Sequence, residues 1–175
     1  MSDQAIVAPV KTHPSIIMGL GGVVLMFAGT LLWVYLGSRI LHLNSFYASF
    51  VFAWYWGIVG KAEFTQLPSS ILGALLGVAV AWQLSYLSAH YGNSGLAVAI
   101  FVIAAVLFMQ NMHWVTFLVN PGAMLFLAVF TAPNLLGKID YVDAALTIIA
   151  GAIYMAAVVF ILKRMTGMGA DNKTT

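Results

Sequence analysis

The chain has 175 residues, of which 62% are hydrophobic and only 7% are charged, and its formal net charge is +2. An ordinary soluble domain is roughly half apolar and about a quarter charged, so a soluble fold of this size could not cover its surface with polar groups. The few Lys and Arg residues exclude a basic patch that would bind nucleic acid, and the absence of cysteine excludes disulfides and iron–sulfur clusters. The composition predicts an all-α protein of the lipid bilayer.

Apolar runs near the length that spans a bilayer, roughly 20 residues, follow one another along the chain. They cover residues 15–36, 44–60, 68–87, 95–109, 114–132 and 142–162. The segment Met1 to Pro14 shows no cleavage pattern of a signal peptide, so we expect the first run to be retained. The sequence therefore predicts a polytopic transmembrane helical bundle of about six spans at residues 15–165, with an N-terminal tail at 1–14 and a polar C-terminal tail at 166–175.

The basic residues orient these spans. With six spans both termini lie on one side of the membrane, and that side would hold most of the basic residues, namely Lys11, Lys61, Lys163, Arg164 and Lys173. The other side would hold only Arg39 and Lys138. Because Lys and Arg in short loops mark the cytoplasmic face, we expect a bacterial inner-membrane protein with both termini in the cytoplasm.

The third run begins at Pro68, where the first turn of a helix does not need the N–H that proline lacks. Small residues then recur every four positions on one face of this helix: Ser69, Gly73, Gly77 and Ala81. Such a face lets another backbone approach closely, within the protomer or between protomers. Packing between protomers would make the protein a homo-oligomer or the partner of another membrane protein.

A polar cluster, Gln110, Asn111 and His113, separates the fourth run from the fifth. Histidine titrates near neutral pH, so His113 suits a proton-linked gate. The alternative interpretation is that the cluster is an interfacial turn, since the connection between the two runs is short.

Asn120-Pro121-Gly122 interrupts the fifth run, and proline and glycine both weaken a helix there. In hydrocarbon a broken helix is tolerated only where its freed backbone groups are buried in protein or face water. The sequence therefore predicts a broken fifth helix whose backbone and Asn120 amide line a path for a small polar solute. The alternative is a structural kink, with Asn120 hydrogen-bonded to a neighbouring helix.

Two short loops resemble each other: Gly60-Lys61-Ala62-Glu63-Phe64 and Gly137-Lys138-Ile139-Asp140-Tyr141 (137 − 60 = 77). With three spans in each unit, two copies would point in opposite directions across the membrane. Inverted repeats of this kind are typical of transporters, whose substrate sites lie between the two halves. A chance match between two interfacial loops is the alternative.

From about Leu43 to Met165 the chain resembles small bacterial inner-membrane proteins of the domain-of-unknown-function family 1097. The residues that carry the resemblance are an aromatic, glycine-rich second run, the Leu67-Pro68 pair and the element Phe117-Leu118-Val119-Asn120-Pro121-Gly122. The resemblance implies a multi-pass membrane architecture and no particular biochemical role. The stretch from Val129 to Asn134 is also similar to a motif of urea transporters, although this chain lacks the length of their paired halves.

The sequence carries no motif of a catalytic or metal site. Its histidines, His13, His42, His90 and His113, are not paired with other ligands at helical or turn spacing. Neither Ser69 nor Ser70 has an evident base. We therefore expect no enzyme and no cofactor, and predict a membrane channel or transporter for a small polar solute. The alternative is a non-catalytic accessory subunit, whose small-residue face and aromatic second run would dock onto a larger membrane complex.

Overall fold

The computed structural model describes residues 16–165, and every regular element in this part of the chain is an α-helix. The elements are α1 (Ile16–Arg39), α2 (Phe46–Ile58), α3 (Leu67–Asn111), α4 (Pro121–Phe130) and α5 (Tyr141–Met165). The predicted all-α class is confirmed for these residues. The predicted tails, with Lys11 and Lys173, lie outside them.

α3 is not one straight helix. Gly92 has φ 56° and ψ −134°, a conformation outside the helical region that glycine adopts at little cost. Gly95 then lies so close to the Leu87 carbonyl that a Cβ atom there would overlap it. α3 therefore consists of a first arm (residues 67–91) and a second arm (residues 93–111) that meet at Gly92. The sequence separates the third apolar run, which ends at residue 87, from the fourth, which begins at residue 95, whereas in the structure only Gly92 between them is non-helical.

α2 and α5 run side by side in the same direction. Near the start of both helices the Ser45 N–H donates to the Asp143 carboxylate at 2.7 Å. Beyond the end of α2, the Lys163 Nζ atom of α5 donates to the Ala62 carbonyl at 3.1 Å. Two contacts at matching positions along both helices fix this parallel arrangement.

α4 runs in the same direction as the first arm of α3 and packs on it. Asn120, directly before α4, donates from Nδ2 to the Ser69 carbonyl at 2.8 Å. Further along both helices, a Cβ atom at Gly77 would overlap the Ala123 carbonyl oxygen. α4 therefore lies directly against the α3 backbone.

α2 and α4 point in opposite directions. The Tyr55 ring lies over Gly122 at the start of α4, whereas the Tyr47 ring packs against Phe130 at its end, with ring centroids 5.5 Å apart. The connecting segments consequently gather at two ends of the bundle. Residues 40–45 and 131–140 lie at what we call the upper end, and residues 59–66 and 112–120 lie at the lower end.

Aromatic side chains fill the centre between these ends. Phe52, Trp56, Phe126 and Phe130 are each no more than 1% exposed, and the rings of Phe126 and Phe130 stack with centroids 6.1 Å apart. Buried alanines let α3 and α5 approach each other around them: Ala74, Ala81, Ala144 and Ala152. The middle of the bundle is therefore apolar and closely packed.

The structure corrects the predicted fifth helix. That helix was expected over residues 114–132, but α4 begins only at Pro121, and residues 112–118 form turns. The physical reason is that proline at the first helical position, preceded by an Asn cap, starts a helix rather than breaking one. With 10 residues, α4 is about 15 Å long, half the roughly 30 Å of a bilayer's hydrocarbon core.

Two of the described helices, α3 and α5, are long and apolar enough to cross a membrane by length and composition. Only 17% and 22% of their most apolar stretches are buried within the chain. α2 has 13 residues and is shorter than a full span. Two such helices suggest membrane association.

Candidate functional site

Two cavities open at the lower end of the bundle. The first has a volume of about 510 Å³ and is lined by Leu107, Gln110, Asn111, His113, Thr116, Val119, Asn120 and Pro121. The second has a volume of about 640 Å³ and is lined by Tyr55, Val59, Gly60, Lys61, Glu63, Thr65, Gln66, Ser69, Ser70, Thr116, Phe117, Asn120 and Pro121. Both volumes lie in the range of small-molecule sites, roughly 300–1,000 Å³. The cavities share Thr116, Asn120 and Pro121, so they meet at the start of α4.

The segment between α3 and α4 shapes the first cavity. His113 and Val115 have positive φ angles of 55° and 50°, which lead the chain out of the α3 helix. The turns that follow are closed by the Leu118 and Val119 N–H groups, each donating to the Val115 carbonyl at 2.9 Å. This irregular path brings Gln110, Asn111 and His113 to the same cavity as Asn120 and Pro121.

Asn120 is the N-cap of α4, and its amide is occupied by the protein itself. Its Oδ1 atom accepts from the Ala123 N–H at 3.2 Å. Its Nδ2 group donates to the Ser69 carbonyl at 2.8 Å and to the Ser69 hydroxyl at 3.1 Å. Since an amide nitrogen carries two protons, both are used, and the residue is only 8% exposed. This geometry favours the bracing role of Asn120 over direct contact with a solute.

The next two residues complete the start of α4. Pro121 takes the first helical position and lines both cavities. Gly122 lies under Tyr55, where a Cβ atom would come within 2.7 Å of the ring. The Ala123 N–H group at the start of α4 has its partner within the protein, and the Tyr55 ring covers Gly122, so this helix start is not open to an anion.

The polar groups that remain for a solute in the first cavity come from the segment before α4. Asn111, His113 and Thr116 are exposed, and Gln110 is half-buried. They offer an imidazole, amides and a hydroxyl, which hydrogen-bond without a fixed charge. Lys61 and Glu63 add one charge of each sign to the second cavity. The site can therefore bind small polar molecules through hydrogen bonds.

The small-residue face of α3 packs against α4 within the chain. The Asn120 side chain lies directly on Gly73, and the backbone from Ala123 to Leu127 lies on Gly77. Ala81 is fully buried. Ser69 binds the turn before α4, donating from its hydroxyl to the Phe117 carbonyl at 3.0 Å. Of the two packing alternatives, the structure uses contact within the protomer.

The upper end has a polar cavity of its own, with a volume of about 550 Å³. Its lining residues are His42, Asn44, Ser45, Tyr47, Asn134, Leu135, Lys138, Ile139, Asp140 and Asp143. The Asp143 carboxylate accepts from the Asn44 N–H at 3.1 Å and from the Ser45 N–H at 2.7 Å, so a residue of α5 caps the start of α2. The Oδ1 atom of Asp140 accepts from the Val142 and Asp143 N–H groups and caps α5.

Two sets of helix contacts resemble each other, and each residue of the first set lies 74 positions from its equivalent in the second. Ser69 holds the segment before α4, and Asp143 holds the segment before α2 (143 − 69 = 74). Gly77 lies against Ala123 of α4, and Gly151 lies against Ser49 of α2 (151 − 77 = 74 and 123 − 49 = 74). In each case a short helix packs in parallel on a glycine of its longer neighbour.

The two similar loops, Gly60 to Phe64 and Gly137 to Tyr141, do not occupy equivalent places in the structure. Gly60 follows α2 almost directly, whereas Gly137 lies well beyond the end of α4. Phe64 precedes α3, whereas Tyr141 is already the first residue of α5. The two loops are 77 residues apart (137 − 60 = 77), whereas the corresponding contacts are 74 residues apart (151 − 77 = 74). The sequence similarity therefore aligns parts of the two loops that are not equivalent in the structure.

Comparisons with protein-family models, with curated proteins and with solved structures find no match to this chain. The resemblance to family 1097 stays a prediction. Within residues 16–165, no group of three or more His, Asp or Glu side chains is placed to hold a metal ion.

Sequence reasoning missed Thr116 and Tyr55. Thr116 lines both lower cavities. It is the one hydroxyl-bearing residue in the apolar stretch from Trp114 to Val119, and this could have indicated a polar site. Tyr55 is 7% exposed and covers Gly122. It sits in a run of aromatic residues that is otherwise typical of a membrane interface, so no local signal distinguished it.

Proposed function

We propose that this chain is a multi-pass membrane protein that gives a small polar solute a path through the bilayer, entered through the two lower cavities. The observation that carries the proposal is the meeting of these cavities at Thr116, Asn120 and Pro121, on a bundle whose outer surface is otherwise rich in apolar side chains. A concave site lined by a few convergent polar groups is the usual form of a small-molecule site.

Membrane position is supported by the side chains on the outside of the bundle. α1, α2, α3 and α5 all carry large apolar side chains that are more than a third exposed, for example Met26 at 76%, Phe101 at 75% and Ile153 at 66%. Soluble monomers rarely expose apolar patches larger than a few hundred Å². The low burial of α3 and α5 also separates them from the core helices of soluble proteins.

The basic residues support an orientation. Lys61 lies in the segment between α2 and α3, and Lys163 and Arg164 lie at the end of α5, so all three are at the lower end of the bundle. Lys and Arg are enriched on the cytoplasmic side of membrane proteins. In a bacterial inner membrane the lower end would therefore face the cytoplasm.

We further propose that the chain forms an inverted three-plus-three repeat. α1, α2 and the first arm of α3 would form one unit, and the second arm of α3, α4 and α5 the other. The contacts that recur at one constant spacing support this division, since α2 and α4 start at opposite ends of the bundle. This arrangement would supply the six membrane segments, with α2 and α4 as short ones.

The upper cavity would then be the second opening of the path. Phe52, Trp56, Phe126 and Phe130 separate it from the lower cavities, so the described conformation is closed in the middle. In transporters built from inverted repeats, one half rocks against the other and exposes the site to each side in turn. The contact between Tyr55 and Gly122 joins the two halves at the lower end and is the contact that such a motion would change.

The accessory-subunit alternative has less support. It relied on a small-residue face and an aromatic second run that would dock onto a partner. Gly73 and Gly77 are covered by the chain itself, and Phe52 and Trp56 are buried. A partner would therefore have to bind the aromatic side chains of α2 that stay exposed, such as Phe50 and Trp54.

Thr116→Trp tests the proposal, because the indole would fill the space where both lower cavities meet. The permeability of proteoliposomes to urea or glycerol is measured by stopped-flow light scattering. We expect Thr116→Trp to reduce this permeability at least tenfold, or to the level of empty vesicles if the wild-type rate is already small. The matched control is Ala97→Trp, which adds the same side chain at an exposed position of α3. If wild-type vesicles are no more permeable than empty ones to any small polar solute, the proposal fails.

A further inference from the structure

An apolar groove runs along the outside of the bundle between α1, α2 and α5. Its volume is about 460 Å³. The residues that line it are Leu25, Met26, Gly29, Thr30, Phe50, Ala53, Trp54, Gly57, Ile58, Tyr154, Met155, Val158 and Leu162. Hydrocarbon and aromatic side chains dominate this set, so the groove is suited to an apolar occupant.

The described hydrogen bonds that attach α1 to the rest of the bundle lie along its upper half. The Tyr154 hydroxyl donates to the Gly29 carbonyl at 2.7 Å, and the Trp33 indole donates to the Ser49 hydroxyl at 2.8 Å. Below Gly29 the described large side chains of α1 are exposed, with Leu20 at 65%, Met26 at 76% and Phe27 at 65%. α1 and the α2–α5 pair thus enclose a wedge that opens toward the lower end.

Gly57 keeps the floor of this wedge open. A Cβ atom built on Gly57 would meet no heavy atom within 4 Å. The neighbouring Trp54 side chain is 55% exposed and borders the same space. In a bilayer such a space is filled by whatever apolar chain lies beside it, because leaving it empty forfeits the dispersion contacts of its lining.

We propose that the groove is a binding site for an anionic phospholipid, with one acyl chain in the wedge and the phosphate at its lower mouth. The inference rests on the membrane position proposed above. On α5 the groove extends from Tyr154 to Leu162, about 12 Å at 1.5 Å per residue. Directly beyond Leu162 stand Lys163 and Arg164. An acyl chain that follows the groove therefore leads its head group toward the last turn of α5, which carries these two basic residues.

The charges at the mouth select the sign of the head group. The Lys163 Nζ atom is 3.1 Å from the Ala62 carbonyl and 5.2 Å from the centre of the Phe64 ring, which holds this ammonium group at the lower end. Arg164 is exposed. Basic residues beside the cytoplasmic leaflet attract anionic lipids. The positive mouth therefore favours an anionic head group over a zwitterionic one.

Gly57→Leu tests the site, because its Cβ atom would meet no other atom within 4 Å and the side chain would add bulk inside the groove. Gly21→Leu is the matched control, since a Cβ atom there also meets nothing within 4 Å and Gly21 lies outside the groove. Wild-type and variant proteins in detergent are titrated with phosphatidylglycerol or phosphatidylcholine, and bound lipid is counted by native mass spectrometry. Thermal unfolding of each variant verifies that it is folded.

We expect wild type to prefer phosphatidylglycerol, Gly57→Leu to lose about tenfold in its retention, and Gly21→Leu to behave as wild type. Arg164→Gln should lower the preference for phosphatidylglycerol by about fivefold without changing retention of phosphatidylcholine. Equal retention by Gly57→Leu and wild type would overturn the site. A lipid-independent dimer that Gly57→Leu dissociates would assign the groove to a second copy instead.

Failure of the underlying membrane position gives a different result. A protein that is released from cell membranes by alkaline carbonate would not be embedded, and both proposals would fall. A protein that stays in the membrane fraction but shows no preference between the two lipids would overturn only the lipid site.

Discussion

Gly77 is the position where the packing of α4 on α3 can be tested most directly. A Cβ atom there would overlap the Ala123 carbonyl oxygen and would lie 2.7 Å from the Phe126 Cβ atom and 2.8 Å from the Leu127 nitrogen. Two of these neighbours are backbone atoms of α4, which cannot rotate away as the end of a side chain could. Gly77→Ala therefore requires α4 to move as a unit, by more than half an ångström if its backbone atoms are to reach 3.4 Å, the lower limit of ordinary contact.

The magnitude follows from two opposed effects. Alanine in place of glycine inside a helix is favourable by about 0.8–1.0 kcal/mol through helix propensity. Overpacking a close interface typically costs about 1–3 kcal/mol, and a gap of about 0.5–1 Å already forfeits about a quarter to a half of the dispersion contact energy. The steric effect is the larger, so we expect Gly77→Ala to lower the free energy of unfolding by about 1 kcal/mol, and Gly77→Leu by about 3 kcal/mol or more.

The measurement is the free energy of unfolding in mixed detergent micelles, followed by tryptophan fluorescence during titration with a denaturing detergent. Gly21→Ala is the reference, because it adds the same methyl group to a helix at a position with no neighbour within 4 Å. We expect it to leave stability unchanged or to raise it slightly. If Gly77→Ala is as stable as Gly21→Ala, α4 does not pack against α3 as described, and the bracing of Asn120 on Gly73 would be in doubt with it.

Two other predictions concern topology and the start of α4. Single cysteines at Lys61 and Lys138, introduced into a chain that has none, should react with an impermeant thiol reagent from opposite sides of the membrane; labelling from one side would contradict the inverted repeat. Asn120→Leu should lower the free energy of unfolding by about 1–2 kcal/mol through loss of the cap, while solute uptake per folded molecule stays near that of wild type. If Asn120→Leu abolishes uptake but keeps wild-type stability, the Asn120 amide contacts the solute and does not merely brace α4.

The course of the helices was largely predictable from the sequence. α1 and α5 match the first and last apolar runs to within a few residues. α3 begins at Leu67, next to Pro68, as the preference of proline for the first turn indicates. Hydropathy and proline position are local signals, and the starts and ends of apolar helices depend mainly on them.

The candidate site was predictable only in part, because it is assembled from distant segments. Asn120 was recognised as important, but its partner Ser69 lies 51 residues away and was recognised only as a small packing residue. Asn120 can bind a solute only if its amide protons are not already hydrogen-bonded to the protein. The sequence does not show these hydrogen bonds, whereas the three-dimensional contacts do. The same holds for Pro121, which in the sequence is consistent both with the break of a long helix and with the start of a short one.

The bracing of Asn120 and a solute path at the same place are compatible. A path lined by backbone groups of a broken helix would need those groups free, yet Asn120 binds the Ala123 N–H group and the Tyr55 ring covers Gly122. The anchored start of α4 instead forms a fixed wall, against which the irregular segment before it presents His113 and Thr116. Selectivity would then come from side chains of that segment rather than from the end of α4, so substitutions at Thr116 should change solute uptake more than stability, and substitutions at Asn120 should do the reverse.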